Sequence, residues 1–67
     1  MGIKVKLDTV LARRRMTLTQ LSERIGVTPA NLSILKTGKA RAVRFSTLEA
    51  ICHELNYQPG DILEYEE

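Results

Sequence analysis

The chain has one cysteine, Cys52, no tryptophan and only three aromatic residues, Phe45, Tyr57 and Tyr65. A single cysteine excludes an internal disulfide. The sole histidine, His53, adjoins it with no CxxC or HxxxH spacing, so no metal site is expected. No apolar run approaches the roughly 18–20 residues that span a bilayer. The N-terminal stretch Ile3-Lys4-Val5-Lys6 lacks the long apolar core of a secretion signal. These absences lead us to expect a chain in the reducing cytosol, without a membrane. Catalytic groupings are missing too: the histidine has no partner at catalytic spacing, there is no glycine-rich phosphate loop, and carboxylates cluster only at the C-terminus. No enzymatic activity, cofactor or small-molecule ligand is therefore expected. The scarcity of rings also weighs against RNA recognition, which stacks bases on aromatic platforms.

What is present is 67 residues with a formal net charge of +2, enough for one domain over 1–67. A core this small needs consistent local structure, a staple or a partner. The charge is unevenly placed. Between Arg24 and Leu48 stand five basic residues (Arg24, Lys36, Lys39, Arg41, Arg44) and no acidic one, whereas the last seven residues hold Asp61, Glu64, Glu66 and Glu67. The first stretch suits a polyanion and the second repels it.

Helix signals are dense. Leu7, Val10 and Leu11 fall at i, i+3, i+4, predicting a first helix that ends near Arg13-Arg14-Arg15, where basic residues complement the dipole. Thr17-Leu18-Thr19-Gln20 is a capping-box pattern, with Met16 and Leu21 at the flanking staple positions. It predicts a second helix from about Leu18 to Ile25 with Leu18, Leu21 and Ile25 inward, ended by Gly26. After Val27 comes another N-cap, Thr28, with Pro29 at the first helical position and Val27 and Leu32 repeating the staple. This third helix turns Leu32 and Leu35 inward and stops at Thr37-Gly38. Helix, tight glycine turn, helix is the helix-turn-helix spacing, here over about 18–37.

Lys39 to Arg44 reads as a basic loop. A fourth helix is expected to open on a capping box from Ser46 to Glu49, to bury Leu48, Ile51, Cys52 and Leu55, and to end at Asn56. Pro59-Gly60-Asp61 opens a single helical turn through Leu63. At the two ends, Ile3 and Val5 alternate with Lys4 and Lys6, and Leu63 and Tyr65 with Glu64 and Glu66. Antiparallel pairing of these segments brings Lys6 near Glu64 and Lys4 near Glu66, within one chain or between two.

A major groove about 12 Å wide admits one helix, whose N-terminal residues reach base edges. On the third helix Thr28, Asn31 and Ser33 offer hydrogen bonds, and Pro29, Ala30 and Ile34 offer apolar surface, the last two suited to thymine methyl groups. With Leu32 and Leu35 inward, Ile34 is expected to stand partly exposed; the alternative is a rotated helix in which it lines the core edge. Lys36, Thr37, Lys39, Arg41 and Arg44 are the expected phosphate contacts. Thr17 and Gln20 add backbone N–H groups at the start of the second helix.

The run from Met16 to Gly38 resembles the lambda-repressor/Cro-like (XRE) helix-turn-helix family. The matching residues are Thr17-Leu18-Thr19-Gln20-Leu21-Ser22-Glu23-Arg24-Ile25-Gly26-Val27-Thr28 and Leu32-Ser33-Ile34-Leu35-Lys36-Thr37-Gly38-Lys39. The likeness continues through Arg44-Phe45-Ser46-Thr47-Leu48-Glu49-Ala50-Ile51-Cys52 and ends with Gln58-Pro59-Gly60-Asp61-Ile62-Leu63, in the manner of small stand-alone bacterial and prophage regulators. The resemblance implies an all-α, five-helix domain, to which the terminal ribbon is an addition. It also implies a transcriptional regulator, a repressor in the cytoplasm and on the nucleoid, that binds double-stranded DNA as a homodimer at a palindromic operator. The family often reads bases through long polar side chains where this chain has Pro29 and Ala30, and Ile34 stands at a further common contact position. That departure points to thymine-rich half-sites or shape readout. The other reading of the same fold is a protein-interaction module, antitoxin-like or an anti-regulator, with Ile34 as its anchor.

Overall fold

Among the described residues, 2–40 and 42–67 of the computed structural model, five helices and two strands follow one another. They are β1 (Gly2–Val5), α1 (Leu7–Arg13), α2 (Leu18–Ile25), α3 (Pro29–Lys36), α4 (Phe45–Leu55), α5 (Pro59–Ile62) and β2 (Leu63–Glu66). The all-α expectation with a terminal ribbon is met. No helix among these residues is long and apolar enough to cross a membrane.

Local chemistry accounts for α2 and α3. The Thr17 hydroxyl accepts from the Gln20 N–H at 3.1 Å, and the Gln20 side-chain oxygen accepts from the Thr17 N–H at 2.9 Å. This reciprocal box satisfies donors that the first helical turn leaves open. Gly26 ends α2 at φ 71°, a left-handed conformation that a Cβ disfavours. The Thr28 hydroxyl accepts from the Asn31 N–H at 3.2 Å, and Pro29 opens α3.

One helix start differs from expectation, and the end of α1, at Arg13 as expected, is closed in its own way. α4 begins at Phe45, with extended Arg44 as N-cap and no side-chain cap, so Ser46 and Glu49 lie inside the helix. Starting two residues sooner gains the backbone bond from the Leu48 N–H to the Arg44 carbonyl at 3.0 Å, which takes the place of the capping box. α1 ends without glycine: Arg15 adopts φ 53°, and the Arg15 and Met16 N–H groups turn back to the Ala12 and Leu11 carbonyls at 3.1 and 3.0 Å.

Every helix sends residues to one core: Leu7, Val10 and Leu11 from α1, Leu21 from α2, Leu32 and Leu35 from α3, Leu48, Ile51 and Leu55 from α4, and Ile62 from α5. Leu18, Ile25 and Cys52, expected inward, pack against this cluster only partly buried. Full burial of one such aliphatic chain stabilises by about 1.5–3 kcal/mol. Buried Ser22 is satisfied by donating to the Thr19 carbonyl at 2.7 Å.

The ribbon forms within one chain, antiparallel, with Ile3 opposite Tyr65 and Val5 opposite Leu63. Lys4 meets Glu66 at 3.7 Å and Lys6 meets Glu64 at 4.0 Å, both across the diagonal. The Lys6 N–H donates to the Ile62 carbonyl at 2.6 Å and ties the ribbon to α5. Arg14 makes a second long tie: its Nε donates to the Leu55 carbonyl at 2.8 Å, and its guanidinium lies 4.5 Å over the Tyr57 ring. Arg13 thus completes the last turn of α1, while Arg14 closes the C-terminus of α4.

Candidate nucleic-acid interface

Gly26, Val27 and Thr28 are all that separate α2 from α3, so the two helices cross at a turn bounded by a C-cap glycine and an N-cap hydroxyl. Burial of Leu32 and Leu35 fixes the rotation of α3 and turns its other face outward. On that face Thr28, Pro29, Ala30 and Asn31 are exposed and Ser33 is half-buried. Ile34 is 47% exposed, which decides between the two rotations: it stands out of the core.

Thr28, Asn31, Ile34 and Arg44 are brought together along a groove between α3 and the start of α4. Ala42, Val43 and Thr47 complete its wall and were not singled out from the sequence. Their only signal was three small or apolar residues, Ala40, Ala42 and Val43, set among the bases of the loop. Pro29, Ala30 and Ser33 lie on α3 outside this groove, and Thr17 and Gln20 stand at the head of α2.

The polar groups are in different states of readiness. The Thr17 and Thr28 hydroxyls accept capping bonds, which leaves each O–H hydrogen to donate. Among the described residues the Asn31 amide has no hydrogen-bond partner, so donor and acceptor are both available. Thr37 is occupied, donating to the Ser33 and Ile34 carbonyls at 3.0 and 3.2 Å. Lys36 turns toward α1 and meets Asp8 at 3.2 Å, a pairing invisible in the basic run. Arg24 is likewise drawn to Glu54 on α4 at 2.8 Å. Lys39 and Arg44 are exposed and form no ion pair among the described residues. Arg41, the remaining expected phosphate contact, lies outside the described residues.

The first turns of α2 and α3 carry no acidic side chain. The Gln20 and Asn31 N–H groups are taken by the caps, so among the described residues the Leu18, Thr19 and Ala30 N–H groups and the positive ends of the two dipoles are open to an anion. Two such ends, an exposed helix face and unpaired cations at the adjacent loop suit a phosphate backbone with bases within reach.

Comparison with known proteins agrees with this chemistry. Residues 6–67 match the family model described as the Cro/C1-type HTH DNA-binding domain. The chain is 65% identical over 65 residues to YozG of Bacillus subtilis (strain 168), an uncharacterized HTH-type transcriptional regulator, covering 97% of this chain and 77% of that one. It also superposes on the crystal structure of the transcriptional regulator VanUg with a TM-score of 0.75 and 37% identity, covering 96% of this chain and 87% of the other. Fold, site and relatives agree: the chain belongs to the Cro/C1-type helix-turn-helix family of DNA-binding transcriptional regulators.

Proposed function

We propose that the protein is a cytoplasmic, sequence-specific repressor that binds a palindromic operator as a homodimer and lays the N-terminal half of α3 in the major groove. The observation that carries this reading is the outward face of α3, where Thr28, Pro29, Ala30 and Asn31 are exposed beside Ile34. Asn31 hydrogen-bonds a base edge, and Ala30 and Ile34 pack on thymine methyl groups. Lys39, Arg41 and Arg44 neutralise phosphates, with Lys36 joining them on release from Asp8; Thr17, Gln20 and the head of α2 add contacts to the backbone, and Thr37 does so once its hydroxyl leaves the Ser33 and Ile34 carbonyls. Homodimerisation is supported by size, because one small module rarely reaches specific affinity alone.

Selection of bound sites from random duplex DNA, followed by a salt titration on the winner, tests this. The expected sites have two thymine-rich half-sites about 10 base pairs apart. Log affinity should fall with log salt at a slope of roughly −4 for four neutralised phosphates. Asn31→Ala changes which sites are selected, whereas Lys39→Ala weakens all of them alike. Recovery of no enriched site, or binding insensitive to salt, overturns the reading. Exposed Ile34 also supports a second reading, an antitoxin-like or anti-regulator interaction module; it requires a protein partner lost on Ile34→Ala and no DNA affinity in the parent chain.

A further inference from the structure

We infer that the outer face of α4 is a self-complementary docking surface through which two copies of this chain pair, α4 against α4 and antiparallel across a twofold axis. The inference rests on the homodimer reading above and supplies the surface.

At about 100° per residue, Leu48, Ile51 and Leu55 form the core stripe of α4, and Phe45, Glu49, Cys52, His53 and Asn56 fall on the stripe beside it. Phe45 is 82% exposed, more than Ile3, Ile34 or Tyr65. A shallow groove runs from this ring past Leu48 and Cys52 to Tyr57 and Pro59. One end of the face therefore projects a ring and the other offers a partly apolar hollow. A twofold axis between Glu49 and Cys52 carries Phe45 of each copy into the hollow of the other. The same rotation sets the Glu49 carboxylate, an acceptor, against the His53 imidazole, an N–H donor. Ring in hollow and acceptor on donor, both occurring twice, is what an isologous contact requires.

The other exposed apolar pair, Ile3 and Tyr65, is less suited to self-pairing. A twofold axis joining two β1 edges brings the lysines of one copy, Lys4 and Lys6, beside those of the other, and one joining two β2 edges does the same with Glu64 and Glu66. Like charges side by side oppose both arrangements. The α4 face is short, about 16 Å of helix, whereas a standard interface draws roughly 800 Å² from each partner, about 20–30 residues a side. Free association is therefore weak, and DNA strengthens it by holding both copies together.

Cys52 lies next to the axis and reports on it. Packed helices stand about 8–10 Å apart, so a short bismaleimide joins Cys52 to its copy. Burial, and secondarily the charge of Asp61, raises this thiol's pKa above its ordinary value, so labelling belongs at mildly alkaline pH. We expect the native chain to show a dimer in sedimentation experiments reaching about 1 mM. We also expect a Cys52 cross-link, intensified on the selected duplex. Phe45→Ala should keep the melting curve, since the ring is mostly in water, yet weaken the dimer at least about tenfold and abolish the cross-link. Glu49→Lys should weaken it and the added His53→Glu restore it. A dimer that survives Phe45→Ala but is lost on Tyr65→Lys overturns the α4 surface and leaves the homodimer standing. A chain that is monomeric throughout and uncross-linked on DNA overturns both, without touching DNA binding by single copies.

Discussion

Within the α2–α3 unit the two helix starts are capped by side chains three positions away, and the C-terminus of α2 by a glycine of its own. In the frame around it, the end of α4 is met by Arg14 across 41 positions, and the base of β1 by the carbonyl of Ile62. The two regions therefore respond to damage differently. A lost cap or turn residue disturbs the presentation of α3 and leaves the frame standing. A lost frame contact loosens the molecule as a whole, because the unit is held to α1, α4 and α5 by shared core packing and by the Lys36–Asp8 and Arg24–Glu54 pairs.

The comparison breaks most visibly in the core that both regions share. Ile51→Ala, at a fully buried position, should cost about 2–5 kcal/mol. In thermal melts, DNA affinity should then disappear together with the folded population. Gly26→Ala is next. No atom lies within 4 Å of the added Cβ, so the penalty is conformational, about 1–2 kcal/mol from φ 71°. Amide shifts confined to α2 and α3 would uphold the local character of the unit, whereas shifts spread through α1 and α4 would refute it. Thr28→Ala and Arg14→Ala sharpen the contrast at about 1 kcal/mol each. In a double-mutant cycle followed by denaturant unfolding they should add to within about 0.5 kcal/mol, as independent sites do. The smallest effect belongs to the ribbon: Lys4→Gln removes an exposed ion pair and should change stability by less than about 0.5 kcal/mol, with high salt erasing the difference.

What was legible in the sequence follows the same division. Thr17 with Gln20, Thr28 before Pro29, Gly26 and Asn56 could be placed because each acts on backbone within four positions. The ribbon was legible for another reason: alternation places its apolar side chains on one face, and opposite charges at both ends select the register. The capping box at Ser46 misled because the backbone had a competing solution at Arg44 that fills the same need. Arg14 could not be distinguished from Arg13 and Arg15, since its role depends on a carbonyl and a ring supplied by the far end of α4. Lys36 belonged to a basic run by sequence, yet Asp8 lies beside it once α1 and α3 are folded.

By itself, then, the sequence determined most of the helix starts and stops, the tight turn between α2 and α3 and the apolar character of the outward face of α3, since propensity, capping and periodicity act over one or two turns. Only the tertiary structure decided which charges remain available and that Ile34 faces outward. It alone built the groove beside α3 and left Phe45 on the surface of α4. Burial, ion pairing and exposure are properties of neighbours in space, and here those neighbours come from opposite ends of the chain.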